Sequence, residues 1–153
     1  MASSIASIYD AIDATVITVN STTVTVYDAD ELPNSVPPAN LPVRLLTPLS
    51  VFGLESGAAT ITVGSSVGGN PFDVNWYIAD VLLWSKVVSD VGVKAHAKDL
   101  VLYCAQWYEM VRTLGATYNV IDATPIPDVI NYPQGSSDWF YGVRAVIVIK
   151  EKF

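Results

Sequence analysis

The sequence is poor in the residues that most often carry chemistry or covalent cross-links. Its 153 residues include one cysteine, Cys104, and one histidine, His96. One cysteine excludes an internal disulfide and a multi-cysteine zinc site, and Cys104 lies among apolar residues, where a thiol acts as a small hydrophobe. No Gly-x-Ser-x-Gly nucleophile elbow accompanies His96. We therefore expect a helical-surface histidine and a protein that is not an enzyme.

Charged residues and long apolar runs are also scarce. Only 15% of the residues are charged, 51% are hydrophobic and the formal net charge is −7. Such a low charged fraction predicts that another subunit covers part of the surface. The acidic balance argues against wrapping of nucleic acid, because phosphates are neutralised by Lys and Arg. With no run of about 18 apolar residues and no basic, apolar start, we expect neither membrane insertion nor signal-peptide export.

Two short segments have the composition of ligand-binding loops without their spacing. Asp28, Asp30 and Glu31 carry oxygen ligands, but the glycine and the closing acid of a calcium loop are absent. A solvated turn is favoured there, with ion binding left open as the alternative. The glycines at 64, 68 and 69 resemble a phosphate loop only in composition, since no Lys-Ser or Lys-Thr follows them. The sequence predicts no catalytic, cofactor-binding or metal site.

Helical periodicity is clearest in residues 93–114. Apolar residues recur there at steps of three and four, which predicts a central helix that ends at Gly115. The stripe consists of Leu100, Cys104, Trp107, Val111 and Leu114, widened on one flank by Val101 and Tyr108 and on the other by Tyr103 and Met110. A shorter helix is predicted from the N-terminal serines through Ala14, with Ile5, Ile8 and Ile12 on one face.

Period-two alternation predicts strands in the rest of the chain. The predicted strands are 43–46, 58–63, 72–88 and 143–150, and residues 15–27 are either a strand, a turn at 20–22 and a strand, or one bent strand. Prolines mark residues 33–42 and 116–133 as extended connections, and a turn is predicted at 134–138. The predicted fold class is α/β of the α+β kind, a mainly antiparallel sheet packed on one central helix plus a short N-terminal helix. We expect one domain, residues 1–153.

Residues 72–88 are apolar on both faces of their predicted strand. The central helix can cover one face, but few elements remain to cover the other, which predicts a subunit contact. The interface candidates are Trp76, Ile78, Val81, Leu83, Trp84, Trp139 and Phe140. Two Gly- and Ser-bearing loops are expected to be mobile until they contact a partner. Their candidate residues are Ser65, Gly68, Gly69, Asn70, Gln134 and Gly135.

The order of these elements resembles that of the tail-terminator, or tail-completion, proteins of long-tailed bacteriophages. The shared features are a short N-terminal helix, a proline-rich connection, a glycine-bearing hairpin, a long apolar strand, a helix and a last strand. The connection runs from Asp-Glu-Leu-Pro33 to Leu-Pro-Val43, and the last strand opens with Gly142-Val-Arg and closes with Lys150-Glu151. The resemblance covers most of the chain and is carried by element order and these short strings.

The resemblance implies an α/β sandwich whose copies form a hexameric ring on the tail tube. Such a ring ends tube polymerisation and joins the tail to the head connector. The implied partners are further copies, the tail tube protein and a connector or stopper protein, with DNA passing through the lumen without specific binding. The implied location is the tail neck of the virion, after assembly in the host cytoplasm.

Two other functions stay open at the level of sequence. Stopper and head-completion proteins share the neck with terminators and differ little in role. A protein of another class, a carbohydrate-binding module of a receptor-binding device, would use exposed aromatic rings to stack on sugars. The aromatic residues available for that are Tyr132, Trp139, Phe140 and Tyr141.

Overall fold

The computed structural model describes residues 3–28, 30–48, 58–63, 72–88 and 92–153. Two helices, α1 (Ile5–Asp13) and α2 (Ala97–Leu114), pack against one face of a six-stranded sheet. The strands are β1 (Thr18–Val19), β2 (Thr22–Thr23), β3 (Thr25–Tyr27), β4 (Val43–Pro48), β5 (Ala59–Val63), β6 (Phe72–Lys86), β7 (Val120–Asn131) and β8 (Trp139–Lys152). The predicted α+β class is confirmed.

The main sheet has the strand order β3-β4-β6-β8-β7, and β5 pairs with the first part of β6. Every pair in it is antiparallel except β3 with β4. β1 and β2 form a separate hairpin, in which Asn20 and Ser21 adopt φ values of 49° and 66°. Left-handed residues at both central positions match the twist of a two-residue hairpin turn, so the predicted turn is present. The predicted second strand is divided, because β2 belongs to this hairpin and β3 to the main sheet.

Helix α2 has its predicted place but a shorter span and a rotated buried face. Val93–Ala95 forms a 3₁₀ turn, so α2 begins only at Ala97, after the N-cap residue His96. The buried residues are Leu100, Tyr103, Trp107, Met110, Val111 and Leu114. The predicted flank of Val101 and Tyr108 is wrong, since these side chains are 62% and 51% exposed. The helix rests on the sheet through its Tyr103 and Met110 side instead.

Strand β6 is covered on both faces, as its apolar alternation predicts, but this chain supplies both covers. Ile78 and Leu82 pack in the core beneath the helices. Val81 and Leu83 pack in a second core with Phe140, Val36 and the partly buried Leu32 and Leu41. The expectation that few elements remain for the second face is wrong. The proline-marked connection lies on that face, where Tyr132 Oη donates a hydrogen bond to the carbonyl of Pro33.

Strand β7 was predicted as an extended connection and not as a strand. It pairs with β8 from Val120 to Asn131, with an irregularity between Val120 and Asp122. Pro125 and Pro127 lack the amide hydrogen that a central strand needs. Among the described residues, β7 has a pairing partner only in β8, so it is an edge strand. An edge position reconciles its prolines with its pairing, because one side of its backbone needs no donor.

Candidate interaction surfaces

The structure divides the seven predicted interface residues into three groups. Ile78, Val81, Leu83 and Phe140 have no solvent exposure within the single chain and belong to its own cores. They are therefore corrected from interface candidates to core residues, because both faces of β6 are already covered. The indoles of Trp76 and Trp84 are half-buried, and Trp139 is 48% exposed. Trp139 is the most exposed member of the set.

Exposed apolar side chains lie along the β7 edge of the sheet. This β7 strip consists of Ile121, Ile126 and Val129, followed by Trp139 at the start of β8. The register places Val129 beside Tyr141 on the helix side and Ile126 beside Arg144 on the other side. The strip therefore wraps around the edge. Since Pro125 and Pro127 cannot donate to an added strand, this edge is suited to side-chain packing rather than to sheet extension.

A second apolar surface lies on β5, across the sheet from β7. Ile61 and Val63 of this β5 strip are 67% and 79% exposed. They pair in register with Val74 and Phe72 of β6, and β6 separates them from β8 and β7. The sheet thus carries apolar side chains at both of its sides. Two different patches at opposite sides of one subunit are what a head-to-tail contact requires.

A groove of about 510 Å³ lies between the end of α1, the following segment and α2. Its apolar lining includes Val16, Ile17, Met110 and Tyr118, and Gln106 lies at its rim. The Gln106 amide is occupied, since it donates to the carbonyl of Thr18 at 2.5 Å and accepts from the Thr18 amide at 3.3 Å. The groove is a further exposed apolar surface, separate from the β7 strip and the β5 strip.

Charge is unevenly distributed over the described residues. All eight basic residues are described, and five are ion-paired: Arg44, Lys86, Arg112, Arg144 and Lys150. The described chain offers no ion-pair partner to Lys94, Lys98 or Lys152. Lys94 and Lys98 flank the start of α2 and are exposed. They form a small basic end on an otherwise acidic protein.

Four acidic residues gather on α1 and after β3. Asp10 and Asp13 of α1 and Asp28 and Asp30 border a cavity of about 240 Å³, together with Ala6, Tyr9 and Pro48. Within the described residues, none of these carboxylates has an ion-pair partner. Asp28 Oδ1 accepts the backbone amide of Asp30 at 2.8 Å, as in the predicted turn. Burial raises the pKa of the Tyr9 phenol to about 12, so this wall of the cavity is uncharged.

Of the two predicted partner-contact loops, the described residues include the one at 134–138. Ser65, Gly68, Gly69 and Asn70 lie outside the described residues. Gln134 and Gly135 are exposed in the turn at 134–138, and Gly135 has φ +84°. Asn131 fastens this turn: its Nδ2 donates to the carbonyls of Ser136 and Asp138 at 2.9 and 2.8 Å, and its Oδ1 accepts the Gly135 amide at 2.7 Å. These bonds oppose the predicted mobility.

The few groups capable of chemistry are held apart or packed. His96 is the N-cap of α2, and its ring lies 5.4 Å from that of Tyr141. Burial raises the pKa of the Cys104 thiol, which packs against the core as predicted. In the described part of the chain no three His, Cys, Asp or Glu side chains are grouped to hold a metal ion. Neither described helix has the length and apolar character needed to cross a membrane.

One carboxylate joins both ends of the chain and was not foreseen from sequence. Glu151 near the end of β8 accepts Ser3 Oγ and the Ser4 amide, each at 2.7 Å, and Trp76 Nε1 at 2.6 Å. Burial alone would raise the pKa of Glu151, but these hydrogen bonds lower it below its usual value. Ser4 precedes α1 and makes no side-chain cap of its own. Glu151 therefore caps α1 from a distant part of the sequence.

The aromatic cluster near β8 does not form one exposed platform. Phe140 is fully buried, and Tyr132 and Tyr141 are nearly so, which leaves only Trp139 open to solvent. Stacking on a sugar requires accessible ring faces, so three of the four residues are unsuitable for that role.

No protein-family model, curated protein or solved structure matches the chain. Any assignment of function therefore depends on the surfaces of the chain itself and on the order of its elements.

Proposed function

We propose that this protein is a structural virion protein, a tail terminator that forms a ring at the head-proximal end of a bacteriophage tail tube. The observation that carries the proposal is the pair of exposed apolar strips on β5 and β7, at opposite sides of one sheet. Repeated around an axis, a contact between two different patches closes into a ring and buries both strips. The order of elements, with its resemblance to the tail terminators, supports the same function.

In this role the protein acts by occupying the growing end of the tube. Its partners are further copies of itself, the tail tube protein on one side and a connector or stopper protein on the other. No catalytic step is required, and DNA passes through the lumen. The net charge of −7 supports such passage, because carboxylates repel phosphates and give no salt-dependent hold on them.

Self-association tests the ring and its surfaces. Ile61→Arg and Ile126→Arg place a charge in the β5 and β7 strips, and each is expected to shift a ring towards monomers in light scattering after size-exclusion chromatography. Val16→Arg is the matched control, since Val16 is as exposed as Ile61, at 67%, but lies in the groove. Purified tails supply the tube end if the free protein does not assemble. A wild-type protein that stays monomeric both free and on tails contradicts the proposal.

The location in the virion separates a terminator from other neck proteins. Phages that lack this protein are expected to form tails of irregular, excessive length that fail to join heads. Electron microscopy of lysates measures both outcomes. Normal-length tails without heads would instead indicate a stopper protein. Tails of normal length that carry heads would refute any role in the neck.

The same infections test whether chemistry is involved. His96→Ala removes the one imidazole of the chain and is expected to leave tail length and infectivity unchanged, with circular dichroism confirming the fold. Loss of infectivity by a well-folded His96→Ala protein would favour an enzyme. A Trp139→Ala protein that loses adsorption but keeps normal tails would favour the carbohydrate-binding alternative.

A further inference from the structure

We propose that neighbouring copies meet through a charge-complementary contact, in which Lys94 and Lys98 of one copy lie against the carboxylates beside β3 of the next. This inference rests on the proposed ring and adds the chemistry that gives its contact a direction. The partner that binds to the exposed start of α2 is thus a second copy of this chain.

The start of α2 has the character of an unoccupied docking surface. Lys94 and Lys98 are four residues apart, both are exposed, and they have no ion-pair partner within the described residues. The next turn adds the exposed apolar side chains of Val101 and Leu102. All the other basic residues except Lys152 are already paired with carboxylates of the same chain. Lys94 and Lys98, beside the start of α2, are therefore free to pair with the carboxylates of an acidic partner.

The complement of this surface exists on the same chain. Asp10, Asp13, Asp28 and Asp30 surround the cavity of about 240 Å³, whose wall also contains the apolar Ala6 and Pro48. Four carboxylates around one cavity repel each other, and a cation from outside relieves that repulsion. The cavity therefore offers both charges for the two lysines and an apolar wall for Val101. Electrostatic complementarity of this kind fixes orientation and speeds association more than it raises affinity.

The two surfaces lie on different elements of the chain. Asp28 directly follows β3, the first strand in the sheet order. The start of α2 lies over β8, because the His96 ring lies 5.4 Å from that of Tyr141, which pairs with Ser85 of β6 and Val129 of β7. Within the described residues of one copy, no ion pair joins these lysines to these carboxylates. A contact between two different patches is head to tail, as is the proposed contact between the β5 and β7 strips.

Charge reversal with cross-rescue tests the contact. The variant K94E/K98E reverses the basic surface, and D10K/D30K reverses two exposed carboxylates of the acidic one. Each alone is expected to weaken self-association about tenfold or more at low salt, because like charges then face each other. An equimolar mixture is expected to recover assembly, since the introduced carboxylates of the first variant meet the introduced ammonium groups of the second. K152E, at the third unpaired lysine, is the matched control and should assemble as wild type.

Each outcome has a defined meaning. If wild type assembles, free or on purified tails, but the mixture does not recover, the charge contact is overturned while the ring stands. Unchanged assembly of both variants also overturns it. If a chelator reproduces the defect of D10K/D30K and K94E/K98E has none, the acidic cavity binds a divalent cation instead. If wild type assembles in neither setting, the proposed ring itself fails, and the charge contact fails with it.

Discussion

Arg44 and Asp80 form a two-pronged ion pair inside the protein. Arg44 Nε lies 3.0 Å from Asp80 Oδ1, Arg44 Nη2 lies 2.6 Å from Asp80 Oδ2, and both side chains are fully buried. Trp107 Nε1 donates to Asp80 Oδ2 at 2.9 Å, and Arg44 Nη1 donates to the Thr15 carbonyl at 2.8 Å. The cluster therefore joins β4, β6, α2 and the segment after α1. The nearby carboxylate raises the pKa of Arg44 despite its burial, so the guanidinium stays charged.

Removal of one partner from this pair should be costly. Asp80→Ala leaves a buried guanidinium without its counter-ion, which we expect to lower the free energy of unfolding by about 3–5 kcal/mol. Asp128→Ala is the control, because it breaks the exposed pair with Arg144, at 2.8 Å, and should cost about 1 kcal/mol or less. Urea unfolding measures both. Equal losses for the two variants would show that the buried pair is not special.

The helices and the long strand β6 could be predicted from sequence, but the irregular connection that covers the second face of β6 could not. The stripe on α2 and the alternation in β6 are periodic, so the position of each element follows from spacing, although the flank of Val101 and Tyr108 on α2 is exposed. The second face of β6 is covered by a connection that includes Leu32, Val36 and Leu41, which has no period to recognise. A segment of that kind acquires its role only when the chain brings it over the sheet. This is why core residues were mistaken for interface candidates.

The same reasoning explains what was missed among the surfaces. Pro125 and Pro127 argue against a strand in sequence, and only an edge position makes them acceptable. The β7 strip therefore could not be predicted without knowing that β7 pairs with β8. Likewise, Glu151 and Ser4 are 147 residues apart. No local motif therefore indicates that Glu151 caps α1, the helix that follows Ser4. Trp139 remains an interface candidate, because its side chain is 48% exposed.

Gly142 is expected to be indispensable for the pairing of β6 with β8. A Cβ built on Gly142 would collide with the backbone carbonyl of Leu82 and come within 3.1 Å of Ile130 Cδ1. Backbone cannot move aside within a paired sheet, so Gly142→Ala should destabilise the protein by about 4 kcal/mol or more. Gly92→Ala is the control, because no atom of the described residues lies within 4 Å of its added methyl group. Thermal unfolding of a Gly142→Ala protein at the wild-type temperature would contradict this account.

Glu151 should make stability depend on pH in the acid range. Its folded-state pKa is below its usual value of 4.5, so the unfolded state binds more protons. The stabilisation is fully present above pH 4.5 and is lost as the pH falls through the lower, folded-state pKa. Glu151→Gln should therefore reduce the free energy of unfolding at neutral pH, and its difference from wild type should shrink below pH 4.5. Asp122→Asn, at an exposed carboxylate of the edge strand β7, is the control.

Asn131 should decide whether the turn at 134–138 is ordered before any partner binds. Its side chain makes three hydrogen bonds to the backbone of that turn, to Gly135, Ser136 and Asp138. We expect the Gly135 amide of the free protein to exchange slowly with solvent deuterium, because Asn131 Oδ1 holds it at 2.7 Å. Asn131→Ala should accelerate that exchange, whereas Gln134→Ala, at an exposed side chain, should not. Fast exchange at Gly135 in the wild-type protein would restore the predicted mobility, and the turn would then order only on contact with a neighbour.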